Sequence, residues 1–344
     1  MTAPQSIAIA AMMAVLAGPV AAQDSEYSWQ PDRPINIIVP WSAGGSTDQV
    51  TRVIAPILEE ALGTEIVVVN QPGASGSTGT KAALDAPRDG YTWTANAIAN
   101  NATYTVTGLI DDTSIEDYRI YLHVANVPLV SVNVNTEYQD FPSLLDAMKN
   151  GEVTVGTAGV NSSGGMALAA LRQEADGELA GARMITYDGG NPAVIAAASG
   201  EVDATTQLAV EQTEMIRAGR LRSLTVFSDT PLEVEGIDPV PPITDFMPDF
   251  HVAKDYFGVF IPKGAPEEVY ETVDQVWKDH VMNAPELQEY ANDRGAIFDP
   301  SYGEDALAKA MPVVIAEACA RVERGEAVVD PSEIGIDCET GAAE

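Results

Sequence analysis

The sequence predicts an α/β protein of two domains built on parallel sheets, and three observations carry that expectation. At 344 residues the chain exceeds one ordinary core and suits two α/β domains of roughly 100–200 residues each. Short β-branched runs alternate with amphipathic helical stretches, which is the pattern of βαβ units. The loops that follow three of those runs are rich in Gly, Ser and Thr, at the strand ends where open α/β sheets bind ligands. A hydrophobic fraction of 46%, with 28 Gly and 22 Pro, marks a globular chain with many loops.

The elements follow in order. From Ile7 to Val20 the chain is apolar and small, and Val20-Ala21-Ala22 has the form of a signal-peptidase site. The run is too short for a permanent bilayer span. Residues 1–22 are therefore expected to be a signal peptide, although no Lys or Arg precedes the apolar run, and the mature chain to begin near Gln23. No later stretch approaches transmembrane length, so the mature protein is expected to be soluble. Residues 35–39 form a β-branched run that ends at Pro40. Val50, Val53, Ile54, Ile57 and Leu58 then recur at helical spacing, with Pro56 expected to kink or shift that helix. A second strand is expected at 65–69, then a helix across 81–84, and Asp89-Gly90-Tyr91 turns into a third strand at 91–95. Further strands are expected at 129–134, 153–156, 184–186, 202–206, 221–227 and 256–261. The Pro- and acid-rich stretch 229–248 reads as a surface connection between domains. No repeat of fixed period is visible.

Charge narrows the partners. With 51 acidic and 18 basic residues the formal charge is -33, a surface that repels nucleic acid and anionic membranes. The same excess serves solubility or life in high salt. His123, His251 and His280 are scattered without ligand spacing, so no metal site is expected. Cys319 and Cys338 are expected to be bonded in the exported mature protein, two unpaired thiols being the alternative.

The chemistry concentrates in three loops. The first is Pro40-Trp41-Ser42-Ala43-Gly44-Gly45-Ser46-Thr47-Asp48. Its paired glycines let backbone approach a ligand, and the start of the following helix offers N–H groups and a positive dipole end to an anion. The second, residues 70–79, contains Gly73-Ala74-Ser75 and repeats that logic. The third, residues 156–165, contains Asn161-Ser162-Ser163. Each loop taken singly is equally an ordinary glycine-rich turn before a capped helix; the set of three is the stronger signal. Enzyme readings find little support here. There is no G-x-G-x-x-G, the second loop ends Gly79-Thr80-Lys81 in the wrong order for a P-loop, and no G-x-S-x-G elbow or loop histidine is present. Neither an enzyme nor a cofactor is expected.

In sequence order, residues 34–40, Ala43-Gly44-Gly45-Ser46-Thr47-Asp48, Asn70-Gln71-Pro72-Gly73-Ala74, Asp89-Gly90-Tyr91, Tyr187-Asp188-Gly189, Gly200-Glu201-Val202-Asp203, Ala218-Gly219-Arg220-Leu221-Arg222 and Phe257-Gly258 resemble the substrate-binding proteins of tripartite tricarboxylate transporters, the Bug family. The resemblance implies a type II periplasmic-binding-protein fold, two α/β domains with a ligand cleft between them, in the periplasm of a Gram-negative bacterium. It implies a small carboxylate ligand (mono-, di- or tricarboxylate or aromatic acid) and two integral-membrane transporter subunits as partners. The chain is expected to be monomeric, and a sensor role for the same fold is the alternative. Residues 31–125 with 250–344 are expected to form domain 1 and residues 126–249 domain 2, because Phe257-Gly258 resumes a buried strand after the Pro-rich stretch. Carried over residue by residue, the resemblance assigns one ligand carboxylate to Trp41, Ser42, Ala43, Gly45, Ser46, Thr47 and Asp48 with Gly73, Ala74 and Ser75. The other end falls to Asn161, Ser162, Ser163, Tyr187, Asp188, Gly189 and Gln207. Two positions depart from the family: Gly165 stands where many members have His, and Gln207 where many have Asp. Gln207 both donates and accepts, so the far end of the ligand is expected to be neutral or a second acid rather than cationic.

Overall fold

The computed structural model describes residues 27–343 apart from 112, 152, 176, 177, 180, 181 and 253; the expected signal peptide lies outside them. Strand β1 (Ile35–Val39) leads into helix α1 (Ser46–Leu62), whose Val50, Ile54 and Leu58 are buried along one face. The helix runs through Pro56 and ends where Gly63 turns left-handed at φ 66°. Next come β2 (Ile66–Asn70), α2 (Ser77–Asp85), β3 (Thr92–Ala97), α3 (Ile98–Thr103) and β4 (Tyr118–Asn126). The chain then crosses to β5 (Leu129–Asn133), α4 (Phe141–Lys149), β6 (Thr154–Thr157), α5 (Ser163–Glu174), β7 (Arg183–Thr186) and α6 (Gly190–Ser199). After β8 (Ala204–Thr205), α7 (Ala209–Arg217) and β9 (Leu221–Val226) it returns as β10 (Asp255–Pro262). Helices α8 (Glu267–Val276) and α9 (Pro285–Arg294), strand β11 (Ile297–Tyr302) and helix α10 (Gly303–Glu323) follow.

Two large sheets result, each with its own core, beside a two-stranded ribbon that pairs Ile336–Asp337 with Ala342–Ala343. One has the order β11-β4-β10-β3-β1-β2 and packs Trp93, Tyr121 and Trp277 on one face and Ile98, Leu122 and Phe260 on the other. The second has the order β7-β6-β8-β5-β9 and packs Phe141, Leu168 and Leu171. We call these the first and second lobes. Strands β1, β2 and β3 are parallel, as are β6, β7 and β8, in keeping with βαβ units. Neither sheet is wholly parallel, however. β10 runs antiparallel to β3 and β4, and β5 antiparallel to β8 and β9. The antiparallel strands flank the two crossings between the lobes, at 126–129 and 250–255.

The stretch 229–248 is not the surface link its composition suggests. Val226 bridges Pro242, Leu232 bridges Val240, and Val240 and Ile243 are buried. It packs as an added edge on the second lobe. At the C-terminus Cys319 of α10 and Cys338 are bonded, with Cα atoms 5.4 Å apart, and Ile336 between them is buried against α10. Among the described residues no helix is long and apolar enough to cross a membrane.

Candidate functional site

The loops at the ends of β1, β2, β6, β7 and β8 meet where the two lobes face each other. In the loop before α1, Gly44 sits at φ +82°, where a side chain is strained, and a Cβ there would lie 2.9 Å from Asn191 of the second lobe. Asp48 braces this turn from behind. Its carboxylate accepts from Gly44 N–H and Asn70 Nδ2, both at 2.8 Å, and is gripped by Arg52. Burial works against its charge, but the Arg52, Gly44 and Asn70 bonds outweigh burial and hold the carboxyl below its usual range. Trp41 is buried and donates Nε1 to Asn96 Oδ1 at 3.0 Å. Gly45, the N-cap of α1, has no side chain with which to cap.

The second loop is strained where it faces the other lobe. Gly73 lies at φ 137°, and Ala74 and Ser75 at 46° and 53°, left-handed conformations that cost a non-glycine residue about 1 kcal/mol or more each. Ser75 abuts Gly159 of the third loop, where a Cβ would lie 2.4 Å from the Ser75 Oγ. In that third loop Ser162 caps α5 through Gly165 N–H at 3.0 Å. Asn161 donates to Thr107 Oγ1 at 2.8 Å and its carbonyl accepts from Asn100 Nδ2. Ser163 Oγ donates to Asp255 Oδ2 at 2.5 Å. After β7, the Asp188 carbonyl accepts from both Ser42 N–H (3.1 Å) and Ser42 Oγ (2.8 Å). Tyr187 turns its phenol back to Glu201 at 2.8 Å, inside its own lobe.

After β8 the Gln207 amide, oriented by its neighbours, donates to Glu211 Oε2 at 3.1 Å and accepts from Ala158 N–H at 2.5 Å. Glu211 Oε1 accepts from Ser46 N–H at 2.8 Å across the cleft. Burial pushes the Glu211 carboxyl up, and the donors Ser46 and Leu208 pull it partly back. What remains among these loops is a cavity of about 20 Å³ lined by Trp41, Ser46, Asn100, Ser163, Gln207 and Glu211. That is room for about one water, so a larger guest among these loops requires them to part. Among the described residues no Lys, Arg or His lines this cavity, and no group of three or more His, Cys, Asp or Glu is arranged for a metal.

Of the residues singled out from sequence, Trp41, Gly45, Ser46, Thr47, Ser162, Ser163 and Gln207 line one cavity. Ser42, Ala43, Gly73, Ala74, Ser75, Asn161, Asp188 and Gly189 form the loops around it. Asp48 and Tyr187 direct their polar ends elsewhere. Sequence reasoning missed Glu211, Asn100 and Gly190. Asn100 had a signal, since Asn96 lies near the end of a buried strand and Asn100 and Asn101 follow directly on it, all three polar. Glu211 had a weaker one, an acid in the first turn after a strand end already marked by Gln207.

A family model described as "Tripartite tricarboxylate transporter family receptor" matches residues 50–324. Protein BugT of Bordetella pertussis is 33% identical over 263 residues, covering 74% of this chain and 76% of BugT. Among solved structures, MatC from Rhodopseudomonas palustris with bound malate superposes with a TM-score of 0.74 at 20% identity, covering 84% of this chain and 99% of MatC. A second R. palustris protein, solved with adipate, gives 0.75 at 22% identity, covering 86% and 98%.

Proposed function

The chain belongs to the tripartite tricarboxylate transporter receptor family, and from that premise we propose that it captures a small carboxylate between its lobes and hands it to a membrane transporter. Its family and fold are those of periplasmic substrate-binding proteins. The observation that carries the ligand class is the start of α1. Gly45 leaves the first-turn N–H groups uncapped by their own loop, and the group that meets Ser46 N–H is a carboxylate. Loops one and two add donors but no side-chain cation. An acid is then held by dipoles and charge-assisted hydrogen bonds, worth about 1.5–3 kcal/mol each. Several such bonds in a closed cleft reach the roughly 8 kcal/mol of micromolar binding. The malate and adipate bound by the two R. palustris proteins support the same class.

In this reading the protein is exported to the periplasm. Residues 31–125 with 250–344 move as one body and 126–249 as the other, hinged at the two crossings. Closure delivers a defined surface to two integral-membrane subunits. Thermal-shift screening followed by calorimetry with malate, succinate, adipate, citrate and benzoate tests the ligand class. At least one acid should bind with micromolar affinity, and its uncharged amide should not. Equal binding of acid and amide, or binding of neither across the panel, sinks the reading.

A further inference from the structure

Glu211 makes its shorter hydrogen bond to the other lobe. From the first turn of α7 its Oε2 caps its own helix through Leu208 N–H at 3.3 Å, while Oε1 takes Ser46 N–H at 2.8 Å. The space around it is shaped for a carboxylate. A Cβ at Gly190 would lie 1.9 Å from Oε1 and 2.3 Å from Oε2, and one at Gly45 would lie 3.4 Å from Oε1. Gly190 thus makes the room that the carboxylate fills, and Gly45 borders it at ordinary contact distance.

No cation neutralises this acid among the described residues. The nearby charged side chains are engaged with one another: Asp48 with Arg52, and Glu214 with Arg217 and Arg294. The carboxylate is held by uncharged donors, the N–H groups of Ser46 and Leu208 and the Gln207 amide, which is how the loops would hold a ligand's carboxylate.

We propose that Glu211 is a tethered stand-in for the ligand's carboxylate, holding the cleft shut by occupying the donor site at the start of α1, so that an incoming acid must displace it. The inference rests on the carboxylate reading of the cleft. Ser46 and Glu211 lie on different lobes, so parting the lobes frees the donors; reclosing over an acid sets two carboxylates side by side unless Glu211 withdraws. The residue therefore stabilises the ligand-free closed form and lowers apparent affinity by the fraction of molecules so occupied.

The test compares the wild type with E211Q, which keeps the shape and removes the charge, and E211A, which removes the contact; thermal melts confirm that each folds. Small-angle X-ray scattering without ligand should show a larger radius of gyration for E211A than for the wild type. Calorimetry with malate, succinate, adipate and benzoate should show at least tenfold tighter binding to both variants for the acids that bind. Unchanged scattering overturns the latch. Equal or weaker acid binding by both variants overturns the competition and makes Glu211 an acceptor for a donor group on the ligand. If E211A opens but no form binds any acid, the latch is supported and the carboxylate reading of the cleft fails on its own.

Discussion

The two walls of the cleft present different chemistry. The first-lobe wall is mainly backbone: N–H groups of loops one and two, with Asn100 reaching across to the Asn161 carbonyl and other polar side chains turned inward as braces, Asp48 to Gly44 and Trp41 to Asn96. The second-lobe wall is side chain: Gln207, Glu211 and Ser163, with the Asp188 carbonyl at the rim. A backbone wall recognises a carboxylate as such, since every chain supplies N–H groups. A side-chain wall can be rewritten residue by residue. On the proposed carboxylate reading, the difference would assign class recognition to the first wall and selectivity among acids to the second, and the first wall would be the less tolerant of change.

That contrast is broken or upheld most sharply by two glycines. A Cβ at Gly79, in α2, would meet the Gln71 carbonyl at 2.6 Å and Pro40 Cα at 2.9 Å, both backbone of the first wall. A Cβ at Gly164 would meet the Gln207 amide at 2.7 Å, the end of a side chain rather than backbone. Gly79→Ala should cost about 3 kcal/mol in urea unfolding and Gly164→Ala about 1 kcal/mol. Equal losses would mean that the two walls are equally rigid.

A smaller effect is expected where the walls meet at the base of the cleft. Asp255 of the first lobe accepts from Ser163 of the second, and burial pushes its carboxyl from 3.8 up to about 7. Between those values the folded protein holds a proton that the unfolded chain has lost. The group's contribution to stability is therefore complete below about pH 4 and is lost as pH rises through about 7. Asp255→Asn removes the buried charge, so it should raise stability at pH 8 by on the order of 2 kcal/mol and change little at pH 4. Urea midpoints at pH 4, 6 and 8 measure it, and a gain independent of pH would locate the effect in packing instead.

Much of the first wall was legible in the sequence because its signals are local. Gly44-Gly45 after a β-branched run, followed by Ser46, announces a strand, a tight turn and a helix start without reference to any distant residue. The second wall was legible only as far as Gln207. Glu211 acquires its meaning from Ser46, 165 residues earlier, and nothing near it in sequence records that contact. Strand β4 escaped for a different reason. Buried on both faces, it shows no alternation, and Arg119 and His123 interrupt its apolar run; in the fold Arg119 pairs with Asp274 and His123 is buried. The stretch 229–248 misled because Pro and acid mark exposed linkers on average, whereas here Val240 and Ile243 pin it to the second lobe.

The smallest effect tests whether the walls move at all. Ser42 is half-exposed on the first wall, and both its N–H and its hydroxyl donate to the Asp188 carbonyl on the second. Ser42→Ala deletes the hydroxyl bond at 2.8 Å and leaves the N–H bond at 3.1 Å, so the carbonyl keeps a partner. The loss is then the net value of one hydrogen bond at a wet rim, about 0.5–1 kcal/mol, rather than the larger penalty of an orphaned acceptor. Because the bond joins two lobes, it exists only while they are together. Its loss should fall on closure and leave folding nearly untouched: a bound acid should leave roughly two- to fivefold faster, with the association rate and the urea midpoint unchanged. Stopped-flow displacement beside a urea titration separates the two. A lower midpoint with an unaltered dissociation rate would place the Ser42–Asp188 contact within a static fold, and the division into a recognising wall and a closing, selecting wall would fall with it.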